Sequence, residues 1–120
     1  MWKKLFIVLL MAIALLIGNP NFALAVESGA IENSAVNSNA QEVFTANCAG
    51  CHAKGGNILR RGKTLKTKAL KRNHRDSAEA IISLVTNGKG SMGAYGDRLT
   101  SSEIELVANY VLERAEQDWR

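Results

Sequence analysis

Apolar residues along this chain recur at helical spacing, and no stretch alternates apolar and polar residues for long enough to predict a strand. The clearest case is C-terminal, where Ile104, Val107, Ala108, Val111 and Leu112 make one apolar face with Tyr110 alongside. Thr100-Ser101-Ser102-Glu103 in front of it is a capping box, and Leu99 and Ile104 are placed to close a hydrophobic staple. Another helix is predicted after Asp76 or Ser77 as N-cap, with Glu79 in its first turn, Ile81, Ile82 and Val85 on its apolar side and Gly88 as its stop. A short amphipathic helix is expected around Thr67 to Arg72, and one more from Asn39, where Ala40, Val43, Phe44 and Asn47 follow helical spacing. Helices this short are not stable alone and must bury their faces against one another or against a cofactor. The first and last are expected to cross, with Ala40 small enough for close approach and Phe44 near Tyr110. Gly55, Gly56 and Gly62 mark one loop, and the glycines at 88, 90, 93 and 96 mark another running to Asp97.

Two segments fall outside this pattern. Lys3 and Lys4, the apolar run Leu5 to Ile17 and the small-residue site Ala23-Leu24-Ala25 have the layout of a cleaved signal peptide, residues 1–25. The rival reading, a membrane anchor, needs about 20 apolar residues. The run here has 13, and Asn19, Pro20 and Asn21 follow it. Residues 26–38 are rich in Ser, Asn, Ala and Gly without periodicity and read as a flexible tether. The packed domain is therefore expected over 39–120.

Cleavage leaves 95 of the 120 residues and removes Lys3 and Lys4 without any acid, so the formal charge falls from +4 to +2. A domain this small is close to the size at which an apolar core needs help from a metal or cofactor. The precursor's basic balance is no sign of nucleic-acid binding. Eight lysines and arginines between Arg60 and Arg75 remain, and they read as a solvated loop-and-helix face.

The candidate chemistry lies in Cys48-Ala49-Gly50-Cys51-His52, a C-x-x-C-H attachment signature for c-type haem. Two thiols on about one helical turn can bond the two vinyl groups of one porphyrin, and the adjoining His52 imidazole then faces the iron. These are the only 2 cysteines. A thioredoxin-like redox pair would need a βαβ setting, and structural zinc would need a fourth ligand where the only other histidine is His74. Met92 is the one methionine left after cleavage, and its place in the glycine-rich loop suits a sixth iron ligand whose soft sulfur favours Fe(II). The competing reading of a lone methionine is core filling. His74, inside the basic run 71–75, reads instead as a solvated surface histidine.

With these residues in place the chain resembles the cytochrome c6 family, soluble photosynthetic electron carriers of cyanobacteria and algal plastids. The likeness covers about residues 39–120 and is carried by Val43-Phe44, Asn47-Cys48-Ala49-Gly50-Cys51-His52, Gly55-Gly56-Asn57, Lys63-Thr64-Leu65, Val85-Thr86-Asn87-Gly88-Lys89-Gly90 and the helix from Val107 to Leu112 ending near Trp119. It implies an all-α class I cytochrome c fold, four to five short helices wrapped around one covalent haem c. It also implies thioethers at Cys48 and Cys51, axial ligands His52 and Met92, and a docking arginine at Arg98.

Three departures stand out. Met92-Gly93-Ala94-Tyr95 replaces the family's usual Met-Pro-Ala-Phe, which frees the ligand loop. Leu84 stands where a glutamine close to the haem is usual, placing Leu84 in the haem pocket and altering the potential. Ala40 stands where glycine is usual at the first-helix crossing. These features resemble divergent cytochrome c6-like subgroups of lower potential and other partners.

The function implied is one-electron transfer without substrate chemistry, hence no enzyme. The implied partners are cytochrome f of the cytochrome b6f complex and photosystem I, or a terminal cytochrome oxidase, met by a monomer in a thylakoid lumen or periplasm with no stable membrane insertion after cleavage. The alternatives are a low-potential carrier with another redox partner, and a haem-based ligand sensor or peroxidase-like enzyme with Met92 off the iron.

Overall fold

The structure, a computed structural model, describes residues 24–120, with side chains from residue 34 onward. Apart from its last two residues, the expected signal peptide lies outside the described residues. The chain divides into two units, 1–34 and 35–120, and the description below concerns the second. Among the described residues there are five α-helices and no strand: α1 (Leu24–Asn47), α2 (Ala49–His52), α3 (Thr67–Arg72), α4 (Ala78–Asn87) and α5 (Ser101–Glu116). Short 3-10 turns occupy Ala53–Gly55 and Arg61–Lys63.

Residues 26–38, expected as a flexible tether, belong to α1 in this structure. They contain no proline and only Gly29 among glycines. Extending a helix already nucleated costs no second nucleation. Residues 34–39 are exposed and Ala40 is buried.

The other helices follow their local signals. Ser77 is the N-cap of α4, its hydroxyl accepting from Ala80 N at 3.2 Å, and Gly88 closes the helix with φ +69°. At α5 the capping box is complete: Glu103 N donates to Thr100 Oγ1 at 3.2 Å, and the Glu103 carboxylate accepts from Thr100 N at 2.8 Å. The donation from Thr100 N, and after it that from Thr100 Oγ1, hold the Glu103 carboxyl below its ordinary pKa.

The core forms where α4 and α5 pack together, Ile81 and Val85 meeting the cluster of Ile104, Val107, Ala108 and Val111. Phe44 of α1 joins it, its ring 5.4 Å from Tyr110 and 5.2 Å from Trp119 between centroids, so the expected meeting of first and last helices occurs. Pairs of this kind contribute about 0.5–1.5 kcal/mol each beyond burial. Beyond α5 the chain turns back, and Trp119 Nε1 donates to the Leu65 carbonyl at 3.0 Å, fastening the C-terminus to the loop ahead of α3.

Candidate functional site

The Cys48 carbonyl accepts from Cys51 N at 3.1 Å and from His52 N at 2.9 Å, which makes 48–52 a single tight helical turn. Cys48 and Cys51 are free thiols, the first half-buried and the second exposed. Burial pushes the Cys48 thiol up to about 11. A thioredoxin-like attacking thiol needs a lowered pKa, so Cys48 does not suit that role. Among the described residues no three or more His, Cys, Asp or Glu side chains are grouped to hold one metal ion, so a zinc site would lack its tetrahedral set.

After His52 the chain reverses sharply through Lys54, at φ +50°, and this turn carries the Gly56 carbonyl back to the imidazole. His52 Nδ1 lies 2.8 Å from Gly56 O. A carbonyl can only accept, so Nδ1 bears the proton and donates it, leaving the Nε2 lone pair free for a metal.

Met92 comes from the loop after α4, and that loop is held at both ends. Lys89 N donates to Met92 O at 2.9 Å and Met92 N to Lys89 O at 3.2 Å, forming an isolated bridge. Farther on, Tyr95 N donates to Val85 O at 2.9 Å and Gly96 N to Thr86 O at 3.2 Å. Tyr95 Oη also donates to the Asn47 carbonyl at 3.0 Å, tying the loop directly to the residue before Cys48. The freedom expected from losing a proline at position 93 is thus countered by a hydroxyl that phenylalanine would lack.

These residues enclose a cavity of about 540 Å³, lined by Cys48, Cys51, His52, Leu84 and Met92 together with apolar core residues such as Val85 and Val107. That volume is ordinary for a pocket built around one cofactor-sized ligand. The donor set suits haem c: two thiols one turn apart, an imidazole with its free nitrogen fixed, a thioether on a separate loop, and apolar walls between. Leu84 is half-buried and is among the residues that line the cavity. Arg98 is exposed and outside the cavity lining, its guanidinium 4.9 Å from the centre of the Tyr95 ring. His74 is exposed and does not line the cavity either.

Sequence reasoning missed Gly56 and Tyr95 as supports. A glycine carbonyl has no side-chain signature, and the only local hint at 95 was a tyrosine in place of the usual phenylalanine.

Comparison with known proteins agrees with this reading of the cavity. Residues 35–111 match the family model described as cytochrome C oxidase, cbb3-type, subunit III. A cytochrome c6-like protein of Nostoc sp. (strain PCC 7120) is 56% identical over 82 residues, covering 68% of this chain and 74% of its own. Cytochrome c6 of the same organism is 45% identical over 118 residues, 98% of this chain and 99% of its own. The crystal structure of cytochrome c6C from Synechococcus sp. PCC 7002 superposes with a TM-score of 0.66 at 54% identity, covering 68% of this chain and 99% of that one.

Proposed function

The chain belongs to the cytochrome c6 family of haem-bearing electron carriers, and from that premise we propose that it is a soluble one-electron shuttle from cytochrome f of the cytochrome b6f complex to photosystem I or a terminal oxidase. It would work as a monomer in the thylakoid lumen or periplasm after loss of residues 1–25. The observation that carries the reading is the convergence of Cys48, Cys51, His52 and Met92 on one cavity. When bound, the haem supplies an Fe(II)/Fe(III) couple that exchanges one electron without making or breaking bonds.

The chain's own residues make that exchange fast and repeatable. Cys48 and Cys51 would anchor the group covalently. His52, its proton committed to Gly56 O, would offer Nε2 to the iron, and Met92 would offer its sulfur. Held by both, the iron would have no open position for substrate chemistry, which favours a carrier over an enzyme. The hydrogen bonds on both sides of Met92 fix the loop that would present its sulfur. Leu84 lines the pocket where the family's usual glutamine would bring an amide, and this difference is the feature that favours the alternative of a lower-potential carrier.

Arg98, on the same loop system and exposed, is the docking cation toward photosystem I. Flash-induced oxidation by photosystem I particles tests this assignment: Arg98→Glu should slow electron donation at low salt, and the deficit should shrink as salt screens exposed charges. Equal rates at low salt would exclude Arg98, or photosystem I, from the function. The ligand-sensor and peroxidase-like readings require an open iron position, and they would be favoured by tight carbon monoxide binding to the reduced protein.

A further inference from the structure

Beyond α5 two consecutive residues lie in the left-handed backbone region, Asp118 at φ +52° and Trp119 at φ +59°. Such residues are strained, and they persist only where the surrounding structure over-determines them. Here the surroundings are explicit. Asp118 N donates to Ala115 O at 3.1 Å and Trp119 N to Arg114 O at 2.7 Å, and the Asp118 carboxylate pairs with Lys66 Nζ at 3.2 Å. The result of this turn is that the Trp119 indole lies across Gly55.

Gly55 is buried, with φ +71°, and a Cβ built on it would clash with Cδ1, Cγ and Nε1 of the indole. The ring therefore rests directly on the backbone. Two hydrogen bonds close the arrangement: Trp119 Nε1 donates to Leu65 O at 3.0 Å, and Leu65 N donates to Gly55 O at 2.8 Å. The next residue in the chain is Gly56, whose carbonyl accepts the His52 Nδ1 proton. Gly56 N to Ala53 O, at 3.0 Å, and Ile58 N to Cys51 O, at 3.1 Å, are bonds within that turn. Trp119 and Leu65 grip it from elsewhere in the chain.

We propose that Trp119 is a positioning residue for His52: its indole, pressed on Gly55, keeps the Gly56 carbonyl within hydrogen-bond range of Nδ1 and so sets the donor strength of the imidazole. The inference rests on the haem reading of the cavity. A carbonyl that accepts from one ring nitrogen fixes the imidazole's orientation and raises its basicity toward a metal. A more basic donor favours Fe(III) over Fe(II), so releasing Trp119 should raise the midpoint potential. Trp119 is not among the residues that line the cavity. Its influence runs through the Gly55-Gly56 backbone.

The experiment uses the mature holoprotein and three variants. Trp119→Ala removes the ring and its donor, Trp119→Phe keeps a ring but loses the Nε1 donor, and Thr100→Ala lowers stability at the far end of α5. Two quantities are read: solvent exchange of the His52 Nδ1 proton, by NMR of the ferrous protein, and the midpoint potential, by optical titration. Trp119→Ala should exchange that proton about tenfold faster or more, through local opening of the turn, and its potential should lie above wild type. Trp119→Phe should fall between the two in both quantities, and Thr100→Ala should keep the wild-type potential.

Wild-type exchange in the Trp119 variants would overturn the proposal. So would faster exchange with a potential that stays or falls. A raised potential without faster exchange would also overturn it, assigning the effect to Phe44, which lines the cavity and packs on Trp119 with ring centroids 5.2 Å apart. Equal shifts in Thr100→Ala would reduce Trp119 to a stability residue. Should Trp119→Ala not accumulate, Trp119→Phe decides alone, and its matching wild type in both quantities would overturn the proposal. The intact mass of the wild type separates the two levels of the argument: a mature protein without covalent haem fails the cavity reading and the proposal together, whereas a haem-bearing wild type with unmoved variants fails only the role of Trp119.

Discussion

Replacing Gly88 by alanine isolates what holds the Met92 loop against the end of α4. Gly88 has φ +69°, and a Cβ built there would sit 2.7 Å from Ala94 N, 2.7 Å from Met92 O and 2.8 Å from Gly93 C, all backbone atoms of the ligand loop. With ψ at 172° the backbone lies in a region kept essentially to glycine, which costs an L-residue about 1–3 kcal/mol. Forcing the loop outward costs about 1–3 kcal/mol, as other overpacking changes do. The stiffer unfolded chain returns about 0.4–1 kcal/mol, so the net loss is roughly 1–5 kcal/mol, a large part of the ~5–15 kcal/mol that holds a domain folded. Because the displaced atoms include Met92 O, the thioether-to-ferric charge-transfer band should weaken in the same protein.

Two neighbouring glycines serve as internal controls. Gly90 has φ +61° and nothing within 4 Å of a built Cβ, so Gly90→Ala should show the conformational cost alone, about 1 kcal/mol. Gly93 has open space and no left-handed φ, so Gly93→Ala should be neutral or slightly stabilising. Denaturant unfolding of the three holoproteins, with the band recorded in the ferric state, measures the series. A Gly88→Ala protein within about 0.5 kcal/mol of wild type, or a series in another order, would refute the packing argument.

Three further outcomes are expected. Met92→Ala should abolish the charge-transfer band and lower the midpoint potential, and an unchanged spectrum would move the sixth ligand elsewhere. Leu84→Gln should raise the potential with ligation intact; each 59 mV corresponds to about 1.4 kcal/mol for one electron, within reach of one hydrogen bond to a charged group, and a potential that stays or falls would remove Leu84 as its determinant. Thr100→Ala should cost about 1 kcal/mol at neutral pH. Because Thr100 N and then Thr100 Oγ1 donate to the Glu103 carboxylate and depress its pKa, that stabilisation is present above the ordinary glutamate pKa and lost as pH falls through the lower folded value, so the gap between variant and wild type should narrow in acid without closing, since the Glu103 N to Thr100 Oγ1 bond does not titrate.

What could be read from the sequence was local. The Thr100 to Glu103 box, the Gly88 stop and the 67–72 helix each depend on residues within a few positions of one another, and all appear with the expected bounds. The Cys48-to-His52 signature and the lone mature methionine identify the candidate site for the same reason. Long-range supports were not legible: Tyr95 Oη reaches Asn47 O across 48 positions, and Trp119 Nε1 reaches Leu65 O across 54. Composition gave no helical signal at 26–38, whose Ser- and Asn-rich residues lack apolar periodicity, and yet the backbone continues α1.

The central claim is that this chain moves one electron at a time on a haem held between His52 and Met92. An optical redox titration of the purified mature holoprotein tests it most directly. The account predicts a single wave with one-electron slope, the thioether charge-transfer band rising and falling with the ferric fraction. A two-electron slope, or a one-electron wave with no such band in the ferric protein, would contradict it.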